Sequence, residues 1–333
     1  MKSALMFLII FVTLYAIAVL LLQRRRNLDI YIPFSRDLTT VGKGVAIAII
    51  IYGHLGNLFN IRYLTPLGGI GVAMFLILSG FGINESWKKN GLQRFWSKRL
   101  VGVMLPYVIV EAVTIPIRGG YQSVPEALLD LTGIHSKYYL GWYITYQMAW
   151  YIIYYCTMRT IKKPKIRYAI WVLIGVAVLS FGSMLYARQA FTFTIGILLS
   201  DYKDSAKSLS KKKNVVLIGA FGVLLLAVKQ IPVFRTTPDV VQNFLDMVMA
   251  SCIAISLLNI IRLIKKKYLI PFYYLGIISF ELYLIHGYTL WLVDLTFMNA
   301  LMFFAVTIAT AAIAHFILKK VQDVLLSTRR LEG

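Results

Sequence analysis

Apolar runs about 20 residues long, separated by short basic stretches, recur from one end of this 333-residue sequence to the other. A hydrocarbon core about 30 Å thick takes about 20 helical residues to cross. Inside it the backbone must satisfy its own hydrogen bonds, which leaves helices and closed barrels. Barrel strands are short and alternate apolar with polar side chains, and these runs do neither. The sequence therefore predicts an all-α fold, a polytopic transmembrane helical bundle. Eleven spans are expected, at about 4–22, 43–61, 66–84, 100–117, 139–158, 168–186, 190–200, 214–231, 240–261, 270–293 and 299–318. A soluble globular chain is excluded by 59% apolar and 15% charged residues and a mean hydropathy of +0.72.

The formal charge of +21 would suggest a nucleic-acid partner on a soluble domain, but here the charge alternates with the spans. If the N-terminus lies outside, 28 of the 35 basic residues fall on the cytoplasmic side, in clusters within 24–43, 88–99, 159–167, 203–213, 262–267 and 319–330. Lys2, Arg62, Arg118, Lys137, Arg188, Lys229 and Arg235 fall on the other side. The positive-inside rule thus predicts an outside N-terminus and a cytoplasmic C-terminus, and no nucleic-acid partner is expected. Cys156 and Cys252 both sit in apolar runs, so they are expected as packing residues rather than a disulfide or a metal site.

Residues 4–22 are long for a secretory signal, lack a small-residue cleavage site and precede Arg24-Arg25-Arg26, which predicts a retained anchor. The following stretch, with Pro33 and Arg36-Asp37, is expected to be interfacial, with Thr39 or Thr40 capping the next helix. That helix is expected to start near Lys43 and to carry His54 eleven residues further on. At about 1.5 Å per residue this is roughly 16 Å, near mid-membrane. An intramembrane histidine is a functional candidate, or a packing residue hydrogen-bonded between helices.

Gly68, Gly69, Gly71, Ser79, Gly80 and Gly82 predict a close-packed third span, which Asn84 and Glu85 should end at the cytoplasmic surface. Arg99 opens the fourth span behind a basic loop, within reach of an anion at the membrane edge, and Glu111 is a second intramembrane ionisable group. The external loop 118–138, with Gly119, Gly120, Pro125 and His135, is expected to be a solvated connection, with a cover over an acceptor site as the alternative. Among the tyrosines and tryptophans of 138–155, Tyr146 and Trp150 lie too deep for an interfacial belt and are candidates for stacking on sugar. Residues 201–213 form a polar link. On the tenth span, Ser279, Tyr283 and His286 are spaced four and three apart, on one helical face.

Four stretches carry a resemblance. They are Lys43-Gly44 with His54; Gly71-Val72-Ala73-Met74-Phe75-Leu76-Ile77-Leu78-Ser79-Gly80-Phe81; Phe95 through Lys98-Arg99 to Pro106-Tyr107; and Ser279-Phe280-Glu281-Leu282-Tyr283-Leu284-Ile285-His286. Trp142-Tyr143 and Phe193-Thr194-Ile195-Gly196 are weaker echoes. In this order they resemble acyltransferase family 3, bacterial membrane proteins that acylate sugars of cell-surface polysaccharides and peptidoglycan, over about residues 36–318. The family commonly has Arg at the position of Lys43, and often a further basic residue where this chain has Gly102. Lys keeps the charge but loses the bidentate fork.

The resemblance implies a ten-helix core, with the first span an addition. That divides the chain into an anchor, 1–27, and a membrane acyltransferase-like domain, 28–333, in the bacterial plasma membrane. No fused esterase-like domain is expected. It further implies acyl-CoA, most often acetyl-CoA, as donor substrate, with no metal. Lys43, Lys98 and Arg99 would hold the donor's phosphates at the cytoplasmic mouth. His54 would act as general base on the acceptor hydroxyl, with Glu281 or Glu111 orienting it. His286, Tyr283, Ser279, Trp142 and Tyr146 would line the side of the acceptor, a polysaccharide or a lipid-linked sugar, and membrane lipids are further partners. The same buried ionisable groups also suit a transporter or flippase for a lipid-linked sugar, or a sensor without catalysis.

Overall fold

The computed structural model describes residues 2–22, 28–32, 34–61, 63–121, 123–134, 136–203, 208–294 and 296–331. Arg24, Arg25, Arg26, Pro33, Arg62, His135 and Lys207 lie outside the described residues. Among those described there is no strand. The helices are α1 Lys2–Leu22, α2 Arg36–Leu58, α3 Pro66–Asn90, α4 Phe95–Arg118, α5 Val124–Leu131, α6 Trp142–Thr160 and α7 Pro164–Phe181. They continue with α8 Thr192–Asp201, α9 Lys212–Val228, α10 Asp239–Ile260, α11 Ile270–Ile277, α12 Ser279–Thr289 and α13 Phe297–Leu331.

Each of the eleven expected spans coincides with a helix or, for the tenth, a helix pair. Among the described residues six helices are long and apolar enough to cross a membrane by themselves, and a seventh crossing arises if Ile270–Ile277 and Ser279–Leu292 count as one broken span. The shorter helices α8, with 10 residues, and α9, with 17, reach less far. The tenth span was expected to be continuous, but it breaks at Ile278. The chain forms two compact units, residues 1–89 with 163–279 and residues 90–162 with 280–333, and passes from the first to the second just after this break.

In the first unit α2 begins earlier than its apolar pattern suggested. Ser35, not Thr39 or Thr40, is the cap: its hydroxyl accepts from the Leu38 N–H at 3.1 Å. Thr39 and Thr40 instead donate to the Arg36 carbonyl at 2.9 and 2.8 Å, the usual fate of a threonine already inside a helix. Backbone then meets backbone at two crossings. A Cβ on Gly44 would stand 1.8 Å from the Phe272 carbonyl oxygen, and one on Gly276 would stand 1.9 Å from that of Thr40, so only glycine lets α2 and α11 come this close. Gly80 and Gly196 do the same for α3 and α8, facing the carbonyls of Phe193 and Ile77.

The third helix does not end at Asn84 and Glu85 but runs on to Asn90. Asn84 is fully buried because its carboxamide has partners, Ser200 at 3.0 Å and Asp201 at 2.6 Å, both at the end of α8.

In the second unit α4 contains a π-turn over Leu100–Met104, and the Leu105 N–H bonds the Leu100 carbonyl five residues back. Pro106 explains it. Proline lacks an N–H and its ring crowds the carbonyl four residues upstream, so the ladder widens there. Gln322 of α13 donates to the Val101 carbonyl at 3.1 Å, taking up an acceptor in the disturbed turn. The loop after α4 is exposed over most of its described length but has structure of its own. It folds into α5, whose cap Ser123 accepts from the Glu126 N–H, and its Asp130 is fully buried. Cys156 is exposed rather than packed, while Cys252 is half-buried.

Candidate active site

Because α2 starts at Arg36, Lys43 lies two turns inside the helix and is exposed. His54 falls in the last turn, four residues before Leu58. It is half-buried, beside Gly53, where a Cβ would lie 2.4 Å from the Gly68 N, so His54 sits at the crossing of α2 with the start of α3. Glycine packing on α2 thus sets the position of both Lys43 and His54.

The remaining cations belong to the second unit. Lys98 is exposed and Arg99 half-buried, one residue before the π-turn. The Arg99 guanidinium stands over the rings of Phe95 and Tyr151, at 5.3 and 5.5 Å from their centroids. Stacking engages the planar face and leaves the N–H edge suited to phosphate or carboxylate oxygens.

Two carboxylates that were candidates for orienting His54 have other partners. Glu281, 5% exposed, takes the Nδ1 of His315 at 3.0 Å, which joins α12 to α13. Glu111, 0% exposed, accepts from the Tyr288 hydroxyl at 2.6 Å and from Arg118 at 3.1 Å. Arg118 also holds Asp130 at 2.6 Å, and Tyr121 donates to the same Asp130 oxygen. One cation therefore binds two buried carboxylates and closes the 119–137 loop onto α4. Outside the spans, burial first and then donation to Asp130 push the Tyr121 hydroxyl up, so it remains a donor at any physiological pH.

The expected acceptor-side residues lie partly in packing. The Tyr283 hydroxyl donates to the Leu140 carbonyl at 2.8 Å, and its ring lies 4.9 Å from Tyr143. Nδ1 of His286, fully buried, lies 2.9 Å from the Leu282 carbonyl one turn back. Ser279 opens α12 and donates to Gly276 at 2.9 Å. Down α6, the rings of Trp142, Tyr146 and Trp150 follow one another at 6.4 and 6.3 Å. Trp142 is half-buried, and the other two are buried. Sequence reasoning missed His315 and the Arg118–Asp130 pair. An ionisable residue in the last span was a usable signal for His315, whereas no local pattern joins residues 118 and 130.

With this geometry in place, the comparison with known families is decisive. The model of an acyltransferase domain, that of acyltransferase family 3, matches residues 40–319. The chain belongs to acyltransferase family 3. Neither a curated protein nor a solved structure matches it. The acyltransferase family 3 region takes in every candidate residue from Lys43 to His315 and leaves out α1. As an acyltransferase with several apolar helices, the protein is a multi-pass membrane protein.

Proposed function

We propose that this acyltransferase is an O-acyltransferase that moves an acyl group, most often acetyl, from acyl-CoA to a sugar hydroxyl of a cell-surface polysaccharide or lipid-linked sugar. The observation that carries the reading is the family match over residues 40–319 together with a half-buried His54 eleven residues after the cation Lys43. Lys43, Lys98 and Arg99 bind the donor's phosphates. His54 takes the proton of the acceptor hydroxyl as its oxygen attacks the thioester carbonyl. The C–O bond forms, the C–S bond breaks, and the thiolate leaves with a proton to become free CoA. Tyr283, His286, Ser279, Trp142 and Tyr146 shape the acceptor side. The charge pattern supports an outside N-terminus in a bacterial plasma membrane, with the donor entering from the cytoplasm.

The broken tenth span suits a flippase better than a simple bundle does, and one assay separates the two. Purified protein is given acetyl-CoA and a sugar acceptor, and CoA release is followed. His54→Ala should lower turnover about a hundredfold to ten-thousandfold. Arg99→Ala should raise the donor KM with kcat kept, and Arg99→Lys should restore it in part. Near-normal turnover in His54→Ala removes His54 from the chemistry. Sugar translocation without any CoA release makes the protein a flippase.

A further inference from the structure

In the second unit α12 and α13 are tied to each other twice. One tie is neutral: the hydroxyls of Thr289 and Thr307, both buried, lie 2.6 Å apart. The other joins Nδ1 of His315 to Oε1 of Glu281 at 3.0 Å. Thr289 lies eight residues after Glu281 and His315 eight after Thr307, so both ties follow from one antiparallel register. A second pair of hydroxyls would have served that packing. An ionisable pair inside a span is costly, and marks a functional place.

Position singles out His315 further. Ala311, His315, Leu318 and Gln322 are spaced four, three and four apart, so they share one face of α13. Ala311 and Leu318 are buried, and Gln322 bonds the Val101 carbonyl in the π-turn, two residues past Arg99. From Gln322 to His315 the helix rises about 10.5 Å. A pantetheine arm, about four extended residues long or roughly 14 Å, covers that rise. A donor with its phosphates on Arg99 and its arm along α13 thus brings its sulfur to the level of His315. Glu281, acceptor-only as a carboxylate, takes the Nδ1 proton and fixes the tautomer, which makes Nε2 the reacting nitrogen. The imidazole is 26% exposed and the Glu281 side chain 7%, so a ligand reaches the ring rather than the carboxylate.

We propose that His315 is the general acid that protonates the departing sulfur, with Glu281 as its positioning residue. The assignment rests on the acyl-CoA reading above. A bare thiolate inside a span is costly, so the sulfur needs a proton as the C–S bond breaks. His315 enters as the imidazolium, passes its Nε2 proton to the sulfur and is left neutral, and CoA departs as the thiol. One proton from water restores His315, while His54 returns to water the one taken from the acceptor hydroxyl. No proton is gained or lost over the cycle.

Acetyl-CoA and its selenoester analogue, acetyl-seleno-CoA, test this with the purified full-length protein. The two donors present the same phosphates and the same acyl group, but a selenolate is a far weaker base than a thiolate and leaves without a proton. His315→Gln keeps a donor for Glu281. It should lower kcat with acetyl-CoA about a hundredfold or more, with the donor KM kept, yet by less than about tenfold with the selenoester. Glu281→Gln, acting through His315, should show the same pattern at smaller size. His54→Ala should stay slow with both donors, because the acceptor hydroxyl still has to lose its proton. Thr307→Val, which breaks only the neutral tie, should lower the melting temperature and leave the ratio of the two donors unchanged. Near-normal turnover of acetyl-CoA in His315→Gln, or an equal loss with both donors, overturns the assignment and makes the pair a second structural tie. Wild-type protein that turns over neither donor overturns the acyl-transfer reading itself, whatever the variants do.

Discussion

Replacing Arg118 by methionine should unfold part of the second unit, and the size of the effect follows from what the guanidinium holds. Its Nη2 lies 3.1 Å from Glu111 and 2.6 Å from Asp130, and both carboxylates are wholly shielded while Arg118 itself is 23% exposed. Removing one partner of a buried ion pair costs about 3–5 kcal/mol, because the charge left behind is uncompensated. Two carboxylates are left here, but each keeps a hydroxyl donor, Tyr288 on Glu111 and Tyr121 on Asp130. That places the loss near the lower end, about 3 kcal/mol. The nearby Lys137–Glu126 pair, at 2.7 Å with side chains 32% and 30% exposed, is an internal control. As a partly exposed pair it should be worth about 0–1 kcal/mol. Thermal unfolding of the detergent-purified protein reads the difference: a large drop for Arg118→Met and a small one for Lys137→Met. Adding Glu111→Gln and Asp130→Asn to Arg118→Met should recover most of the stability, since the stranded charges are then gone. If Arg118→Met melts like wild type, or the triple variant melts no higher than the single one, the cluster does not hold the loop by charge.

Gly44→Ala should cost about 3 kcal/mol or more, the upper end for overpacking, because its Cβ meets Phe272 backbone at 1.8 Å and no side chain can move aside. Gly82→Ala, with nothing within 4 Å, should be neutral in the same melting assay, and equal effects at the two sites would refute the crossing. Glu281→Leu and His315→Phe should each destabilise, and the double variant should lose less than their sum, since the two share one hydrogen bond. Strict additivity would show that they act apart. For orientation, single cysteines at Asn90 and Val124 in a Cys156→Ser, Cys252→Ser background, treated with an impermeant thiol reagent in intact cells, should be labelled at 124 only. Labelling at 90 alone inverts the topology.

Hydropathy along the chain placed the apolar helices and their order, because a hydrocarbon core imposes its thickness on each crossing independently of the others. The short motifs likewise marked the residues of the family region, among them Lys43, His54, Arg99 and Glu281, and the small-residue runs announced close packing. What the sequence could not settle is what depends on neighbours far along the chain. Ser35 rather than Thr39 caps α2, so the helix starts ahead of its apolar pattern and Lys43 lies two turns inside it. Asn84 is buried because Ser200 and Asp201 meet it from 116 and 117 residues away. Glu281 faces His315, and Arg118 gathers Glu111 and Asp130, by contacts that no periodicity encodes. A polar side chain inside a membrane protein takes the partner that packing brings within hydrogen-bond distance. Only the tertiary structure fixes that distance.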